Sequence, residues 1–255
     1  MRRTAAATGA ALLAGALALT ACSSGDDAES TETVTETATT SPSESPTATP
    51  TSEPAEPSEP AGPTESDTSA PPAPAPPTTV TADTLLPPDV LGTADQPREE
   101  TAGVTAWRLS EACDQVTPEA ADMVTVSQGS GEFEEPVGLQ QVAVFADSDA
   151  AATAADALAA AFGSCTAQEA TAYVVEPLEV GAQGTGLATD YYGASTAGPL
   201  DEALGSYVAL TRRGNAVVLT GYEGGEAQVG TARENTTALL DDAWQRLCGY
   251  DSAGC

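Results

Sequence analysis

The chain has 255 residues, of which 38 are acidic and only 8 are basic, so its formal net charge is −30. Phosphate backbones and anionic membrane surfaces repel so negative a chain, which argues against nucleic-acid binding. Histidine is absent. The usual general base, triad base and zinc ligand are therefore missing, and we expect neither a serine hydrolase, a cysteine protease nor a zinc enzyme.

Residues 1–21 have the three-part order of a secretory signal peptide. Two arginines near the start precede an apolar stretch over 10–19, and small residues follow. This stretch is too short to span a bilayer. Residues 19–22, Leu-Thr-Ala-Cys, resemble the lipobox of bacterial lipoproteins, in which the cysteine becomes the lipidated N-terminus. We therefore predict that Cys22 carries a membrane anchor of the palmitate type. The alternative is an ordinary signal peptide with a chance cysteine.

Residues 22–80 have the composition of a disordered tether. After Cys22 they include only small, polar, acidic and proline residues apart from Val34 and Val80. Such a segment cannot bury enough apolar surface to offset the entropy lost on ordering. Fully extended, it would reach roughly 180 Å at ~3.1 Å per residue. We expect it to hold a folded domain away from the outer face of the cytoplasmic membrane, and its Ser, Thr and Pro content permits O-glycosylation.

Residues 81–255 have the composition of a single folded domain, and they contain every aromatic residue of the chain. Pro87 and Pro88 fit the start of a short helix. The clearest helix is predicted over 148–162, where Asp147 offers an N-cap oxygen and the apolar residues Ala151, Ala155, Leu158 and Phe162 recur on one face. A second helix is predicted over 229–247.

The remaining apolar runs are short and rich in β-branched or aromatic residues, which predicts strands. Residues 212–215, Arg-Arg-Gly-Asn, predict a hairpin turn between the last two strands. Together the elements predict an α+β fold with a mostly antiparallel sheet and helices packed on one face. The predicted strands are 123–127, 139–145, 172–177, 186–192, 206–211 and 216–222.

Four cysteines follow Cys22, and an even number in an exported domain predicts two disulfides. Three pairings are possible, of which we favour Cys113 with Cys165 and Cys248 with Cys255. In the chain-entropy model these two bonds contribute roughly 4 and 2.5 kcal/mol. Metal ligation is the rival interpretation, but no Cys-x-x-Cys spacing exists. A redox-active role for the short Cys248 loop is a further alternative.

Six features occur in one order along the folded part of the chain. They are residues 81–86, Trp107 before Cys113, residues 141–145, the alanine-rich helix ending at Cys165, residues 215–219 and residues 246–248. Together they resemble the sensor-domain-containing lipoproteins of actinobacteria, which are related to the extracellular sensor domain of the mycobacterial serine/threonine kinase PknH. The resemblance covers roughly residues 81–250 and implies an α+β fold with two disulfides and a ligand-binding cleft. The chain lacks a kinase domain, so direct signalling across the membrane is not implied.

The tyrosines are the best candidates for a ligand site, because small-molecule sites combine aromatic surface with a few convergent polar groups. The alternative is that these residues pack within the sheet with their hydroxyls at its rim. Trp107 with Arg108 is a second candidate, for which the alternative is that a tryptophan near a disulfide serves core packing. The predicted ligand-binding set is Trp107, Arg108, Tyr173, Tyr191, Tyr192, Tyr207 and Tyr222.

Acidic clusters give weaker predictions. Glu132, Glu134 and Glu135 lack the spacing of a calcium-binding loop, so we interpret them as a solvated loop. Asp241 and Asp242 are neighbours on a predicted helix and point in different directions, so they cannot flank a bond as glycosidase carboxylates do. We expect no cofactor and no bound metal.

Together these features predict a non-enzymatic extracytoplasmic lipoprotein whose sensor-like domain binds a small ligand or a cell-wall component. The membrane is reached through the lipid anchor, and nucleic acid is not a partner. The alternative is a structural or protein-interaction module of the cell envelope. A groove lined by tyrosines would favour the first interpretation, whereas a filled sheet face with an exposed apolar patch would favour the second.

Overall fold

The computed structural model of the chain describes residues 75–93, 95–131, 135–225 and 227–255. The predicted signal peptide, the predicted lipidation site at Cys22 and residues 22–74 of the predicted tether lie outside this range. So do two members of the acidic cluster, Glu132 and Glu134. Within the described part of the chain, no helix is long and apolar enough to cross a membrane.

The described residues form one antiparallel sheet and three α-helices. The sheet order is β1-β2-β3-β7-β6-β5-β4, and the short strand β8 pairs with one end of β6. The predicted mixed α+β class with an antiparallel sheet is confirmed. The strands are β1 Arg98–Ala102, β2 Asp122–Gln128, β3 Val137–Val144, β4 Ala172–Pro177, β5 Ala182–Asp190, β6 Leu204–Arg213, β7 Ala216–Glu223 and β8 Ala227–Gln228. The helices are α1 Pro88–Leu91, α2 Ser148–Ser164 and α3 Val229–Arg246.

The two long helices form where their sequence signals lie. At the start of α2, the Asp147 carboxylate accepts hydrogen bonds from the N–H groups of Asp149 and Ala150 at 3.1 and 2.8 Å. This N-cap satisfies two of the donors that a helix start leaves unpaired. The predicted hairpin between β6 and β7 is also confirmed. Its Gly214 has a φ of +55°, which favours glycine.

Helices α2 and α3 cover opposite faces of the sheet, so the prediction of helices on one face is wrong. Successive residues of a strand point to opposite faces. In β7, Ala216 and Val218 pack in the core beneath α3, whereas Val217 and Leu219 pack in the core beneath α2. Central strands that are apolar on both faces must be covered on both, and that layered arrangement is what the structure shows.

Two strands are missing from the prediction. β1 reads Arg-Glu-Glu-Thr-Ala, and four of its five residues are exposed because it lies at an edge of the sheet. Its sequence therefore lacks the alternation of apolar and polar residues that predicts a half-buried strand. β8 has only two residues. Strand β5 begins four residues before the start predicted for it, and its register with β6 shifts between Ala182 and Thr185.

The folded part begins a few residues before the predicted boundary at Thr81. The side-chain amide of Asn215 donates to the carbonyl of Pro77 at 2.9 Å, and the Tyr250 hydroxyl donates to the carbonyl of Thr79 at 2.8 Å. Further along, the Gln140 side chain accepts from the N–H of Leu86 at 2.7 Å and donates to the carbonyl of Thr84 at 3.1 Å. Residues 77–86, which include a 3₁₀ helix at Ala82–Thr84, are thus tied to the domain by hydrogen bonds from side chains.

Both favoured disulfides are present. Cys113 bonds to Cys165, which joins the loop between β1 and β2 to the residue after α2. Cys248 bonds to Cys255 and closes the turn that follows α3. The first bond lies beside the α2 face of the sheet, where it fixes the loop that forms one wall of the site described next.

Candidate functional site

A groove of about 330 Å³ lies at one end of the sheet. Most of its lining belongs to the α2 face, whereas Tyr222 also packs against the core beneath α3. We call it the tyrosine groove, because three tyrosines line it on different strands or strand ends: Tyr173, Tyr191 and Tyr222. Serine and threonine side chains lie between them. These are Ser110, Thr171, Thr189 and Ser206.

The groove forms where β6 changes its partner. Residues 208–213 of β6 pair with β7, but Leu204 and Gly205 pair with β8. Between these two pairings, Tyr222 and Glu223 at the end of β7 pair with β3 but not with β6, and together with Gly224 they line the groove. The opening at this point in the sheet is what leaves room for a cavity.

Gln141 holds the opposite wall of the groove in place. Its side-chain oxygen accepts from the N–H of Arg108 at 2.6 Å, and its amide nitrogen donates to the carbonyl of Ala106 at 3.3 Å and to the Thr125 hydroxyl at 3.0 Å. Gln141 is fully buried. Sequence reasoning missed this residue. Two adjacent glutamines in an otherwise apolar strand were the available signal, because buried amides need partners.

Arg108 and Glu223 face each other across the groove as an ion pair. The exposed fractions of their side chains are 42% and 33%, so solvent still screens the pair. Burial raises the pKa of the Glu223 carboxyl, and the neighbouring Arg108 opposes that rise. The pair brings one positive and one negative charge, which leaves the groove neutral.

The groove has hydroxyls that the protein does not use. Ser110 and Tyr173 share a hydrogen bond of 3.0 Å, and Thr171 donates to the carbonyl of Tyr191 at 3.4 Å. By contrast, four side-chain hydroxyls of the groove have no hydrogen-bond partner among the residues that the structure describes: Thr189, Tyr191, Ser206 and Tyr222. Burial raises the pKa of Tyr222, so its hydroxyl remains a donor at neutral pH.

Asp190 fixes the backbone that carries Tyr191. Its carboxylate is fully buried and accepts from the N–H and the hydroxyl of Ser195 at 2.8 and 2.6 Å, and from the N–H of Tyr192 at 3.1 Å. Burial alone pushes the pKa of Asp190 up, but these hydrogen bonds outweigh that effect and lower it. The carboxylate is therefore charged at neutral pH and holds the turn after β5 closed.

Four of the seven predicted ligand-binding residues lie together in the groove: Arg108, Tyr173, Tyr191 and Tyr222. The other three do not, and the prediction is corrected for them. Tyr207 is buried on the α3 face, where its hydroxyl donates to Glu176 at 2.7 Å. Tyr192 is 58% exposed and lies outside the groove. Tyr207 lies between Ser206 and Val208 of the groove, and alternation along β6 places it on the other face. Tyr192 lies beyond the end of β5.

Trp107 is the third exception. It is buried in the core beneath α2 together with Met123 and Phe145, and its ring N–H has no partner among the described residues. Its side chain therefore packs the base of the wall that carries Arg108 and does not line the groove itself. This outcome agrees with the alternative that a tryptophan beside a disulfide serves core packing.

A larger cavity, of about 840 Å³, lies at the other end of β6 and β7, around residues 212–215. The two arginines there, Arg212 and Arg213, already bind other groups of the protein. Arg212 donates to Gln183 and to the carbonyl of Gly214, and Arg213 stacks 4.4 Å from the ring of Trp244 while donating to backbone carbonyls. The tyrosine groove, with its unpaired hydroxyls, is the better candidate site despite its smaller volume.

In the part of the chain that the structure describes, no metal-binding cluster accompanies the groove. Glu135, the one described member of the acidic cluster, accepts from Ser130 and from Gln96, and these hydrogen bonds lower its pKa. Across the described ranges, no three acidic or cysteine side chains are placed to hold a metal ion. Comparison with known proteins identifies no family model that matches the chain and no similar curated protein.

Proposed function

We propose that this protein is an exported lipoprotein without catalytic activity, and that its tyrosine groove binds a small extracellular ligand. The observation that carries the proposal is the set of four groove hydroxyls that lack a hydrogen-bond partner among the described residues. Half-buried polar groups are costly to leave without hydrogen bonds, so water or a ligand must satisfy them. The three tyrosine rings add the apolar surface that small-molecule sites combine with such groups.

The resemblance to PknH-like sensor domains supports the same proposal, since that family is expected to have a ligand-binding cleft. The chemistry of the groove argues against catalysis. Its described lining has no histidine, lysine or cysteine, and its one carboxylate is paired with Arg108. An unpaired general base or an activated nucleophile is what hydrolytic chemistry requires.

A role as a protein-interaction module is the second candidate, and one observation favours it. β4 lies at an edge of the sheet and exposes Val174 and Val175, with exposed fractions of 38% and 42%. An edge strand with exposed valines can pair with a strand of another chain. The patch is small, however, and single exposed apolar residues are common on protein surfaces.

Ligand screening with a matched pair of variants tests the groove. We expect a library of small polar fragments, titrated into the isotope-labelled full chain, to shift the NMR signals of groove residues. Tyr191→Ala should weaken the binding of these fragments about threefold to tenfold, because it removes an aromatic wall and a hydroxyl. Tyr192→Ala is the control, since this neighbour lies outside the groove. Shifts that cluster along β4 and respond equally to both variants would favour the protein-interaction role.

The lipid anchor has a separate test. Cys22→Ser removes the thiol that carries the lipid, so we expect the variant to appear in the culture medium or to accumulate as an unprocessed precursor. Fractionation of cells and mass spectrometry of the mature N-terminus measure both outcomes. Unchanged retention of Cys22→Ser in the membrane fraction, with normal cleavage, would contradict the anchor.

A further inference from the structure

The charges of the tyrosine groove restrict the ligand that it can take. Within the described lining, the only charged side chains are Arg108 and Glu223, and they are paired with each other. A charged ligand would have to break this pair or remain unpaired in a half-buried site, and both are unfavourable. The net charge of −30 also repels anions at longer range. These observations favour an uncharged ligand.

The unpaired hydroxyls restrict the ligand further. Each hydroxyl of Thr189, Tyr191, Ser206 and Tyr222 can donate one hydrogen bond and accept others. Carboxylate and phosphate oxygens only accept, and ammonium groups only donate. Ligand hydroxyls do both, so they match a site made of hydroxyls. The faces of the tyrosine rings suit the C–H faces of a ring that carries such hydroxyls.

The volume sets the size of the ligand. The volume of about 330 Å³ lies at the small end of the range for small-molecule sites, which is roughly 300–1,000 Å³. That space corresponds to one hexose ring with its hydroxyls, or to one ring and part of the next.

We infer that the groove binds an uncharged saccharide unit, held by the four unpaired hydroxyls and the tyrosine rings. This inference rests on the proposed function and names the class of its ligand. The Arg108–Glu223 pair contributes to sugar binding. Its guanidinium can still donate hydrogen bonds to neighbouring sugar hydroxyls, and its carboxylate can still accept them.

Titration of the full chain with sets of related sugars tests the class. Each set contains a neutral sugar with its uronic acid and its amino sugar, for example glucose with glucuronate and glucosamine, and galactose with galacturonate and galactosamine. N-acetylglucosamine and neutral disaccharides complete the panel. We expect at least one neutral member to bind with millimolar or better affinity, and its two charged counterparts to bind at least about tenfold more weakly, which is a difference of about 1.4 kcal/mol.

Conservative variants show whether binding uses the groove hydroxyls. Tyr222→Phe and Ser206→Ala each remove one hydroxyl and keep nearly the same shape, so each should weaken sugar binding about threefold to tenfold. Tyr192→Phe removes a hydroxyl outside the groove and should leave the affinity unchanged. Circular dichroism confirms that each variant is folded. Sugar binding that is indifferent to Tyr222→Phe and to Ser206→Ala would overturn the inference.

Methyl glycosides distinguish a free sugar from the end of a glycan chain as the source of the saccharide. The fragment screen distinguishes a failure of the saccharide inference from a failure of the proposed ligand-binding function. Methyl glycosides bind as well as the free sugar if the ligand is the end of a glycan chain, and they bind more weakly if a free reducing sugar is recognised. If no saccharide binds, or if the charged members bind as tightly as the neutral ones, the saccharide inference is wrong. In either case the fragment screen decides the proposed function separately, because a groove that binds other fragments remains a ligand site.

Discussion

Removing the Cys113–Cys165 disulfide is expected to lower the free energy of unfolding by about 4 kcal/mol. The bond joins residues 52 apart in sequence, so its loss releases a large loop in the unfolded chain. The double variant Cys113→Ala with Cys165→Ala, unfolded by urea and followed by tryptophan fluorescence, measures the change. A loss of this size is a large fraction of the stability of an ordinary domain.

The second disulfide provides a matched control. Cys248 and Cys255 are only 7 residues apart, and the same model gives about 2.5 kcal/mol for their bond. The corresponding double alanine variant should therefore be the more stable of the two. It should also leave the tyrosine groove intact, whereas loss of the first bond should weaken ligand binding through the loop that carries Arg108. If the variant without Cys248–Cys255 were the less stable of the two, the larger contribution assigned to the Cys113–Cys165 bond would be wrong.

Gln141→Leu is expected to have the second-largest effect. Leucine has nearly the same size as glutamine but cannot bond to the N–H of Arg108 or to the carbonyl of Ala106. Since each backbone group left without a partner costs about 1–3 kcal/mol, we expect a loss of about 2–4 kcal/mol in the free energy of unfolding. Ligand affinity should also fall, because the segment that places Arg108 in the groove is released.

Gln140→Leu separates these two effects. Gln140 lies next to Gln141 in β3 but points to the α3 face, where it bonds to the backbone of Leu86 and Thr84. Gln140→Leu should lower the free energy of unfolding by a similar amount but leave the ligand affinity of the groove unchanged. Urea unfolding and titration with the same groove ligand, at a temperature where both variants are folded, provide the comparison. Equal effects of both variants on affinity would contradict a positioning role for Gln141.

The elements with strong local signals could be predicted from the sequence. Helix α2 has its N-cap at Asp147 and its buried stripe of alanines, and the structure shows both. The hairpin at Gly214 was predicted for an equally local reason, whereas the two disulfides were predicted from the even number of cysteines that follow the export signal. These features depend on residues close together in the sequence, or on the oxidising compartment that an export signal implies.

The arrangement of layers could not be predicted, because it depends on which strands become neighbours. The run Ala216–Leu219 is apolar at every position, which is typical of a strand covered on both faces. Such a run was interpreted only as a strand, and one helical layer was assumed. Strand β1 was missed for the opposite reason, since its exposed edge position requires no apolar residue.

The candidate site was predicted in part. Tyrosine composition pointed to a groove, and Tyr173, Tyr191 and Tyr222 do meet there. The inclusion of Tyr207 failed because the face on which a strand residue lies follows from register, and register is a property of the assembled sheet. The roles of Gln141 and Asp190 depend on partners up to 35 residues away or on a folded turn, so composition alone does not reveal them.

The attachment of residues 77–80 determines how the domain responds to mechanical force. A pull on the chain ahead of Pro77 acts first on the hydrogen bonds to Asn215 and Tyr250, at the hairpin end of β6 and β7. The tyrosine groove lies near Ser206, seven residues along β6, or about 23 Å away at 3.3 Å per residue. Tension that frays the hairpin end therefore reaches the groove last.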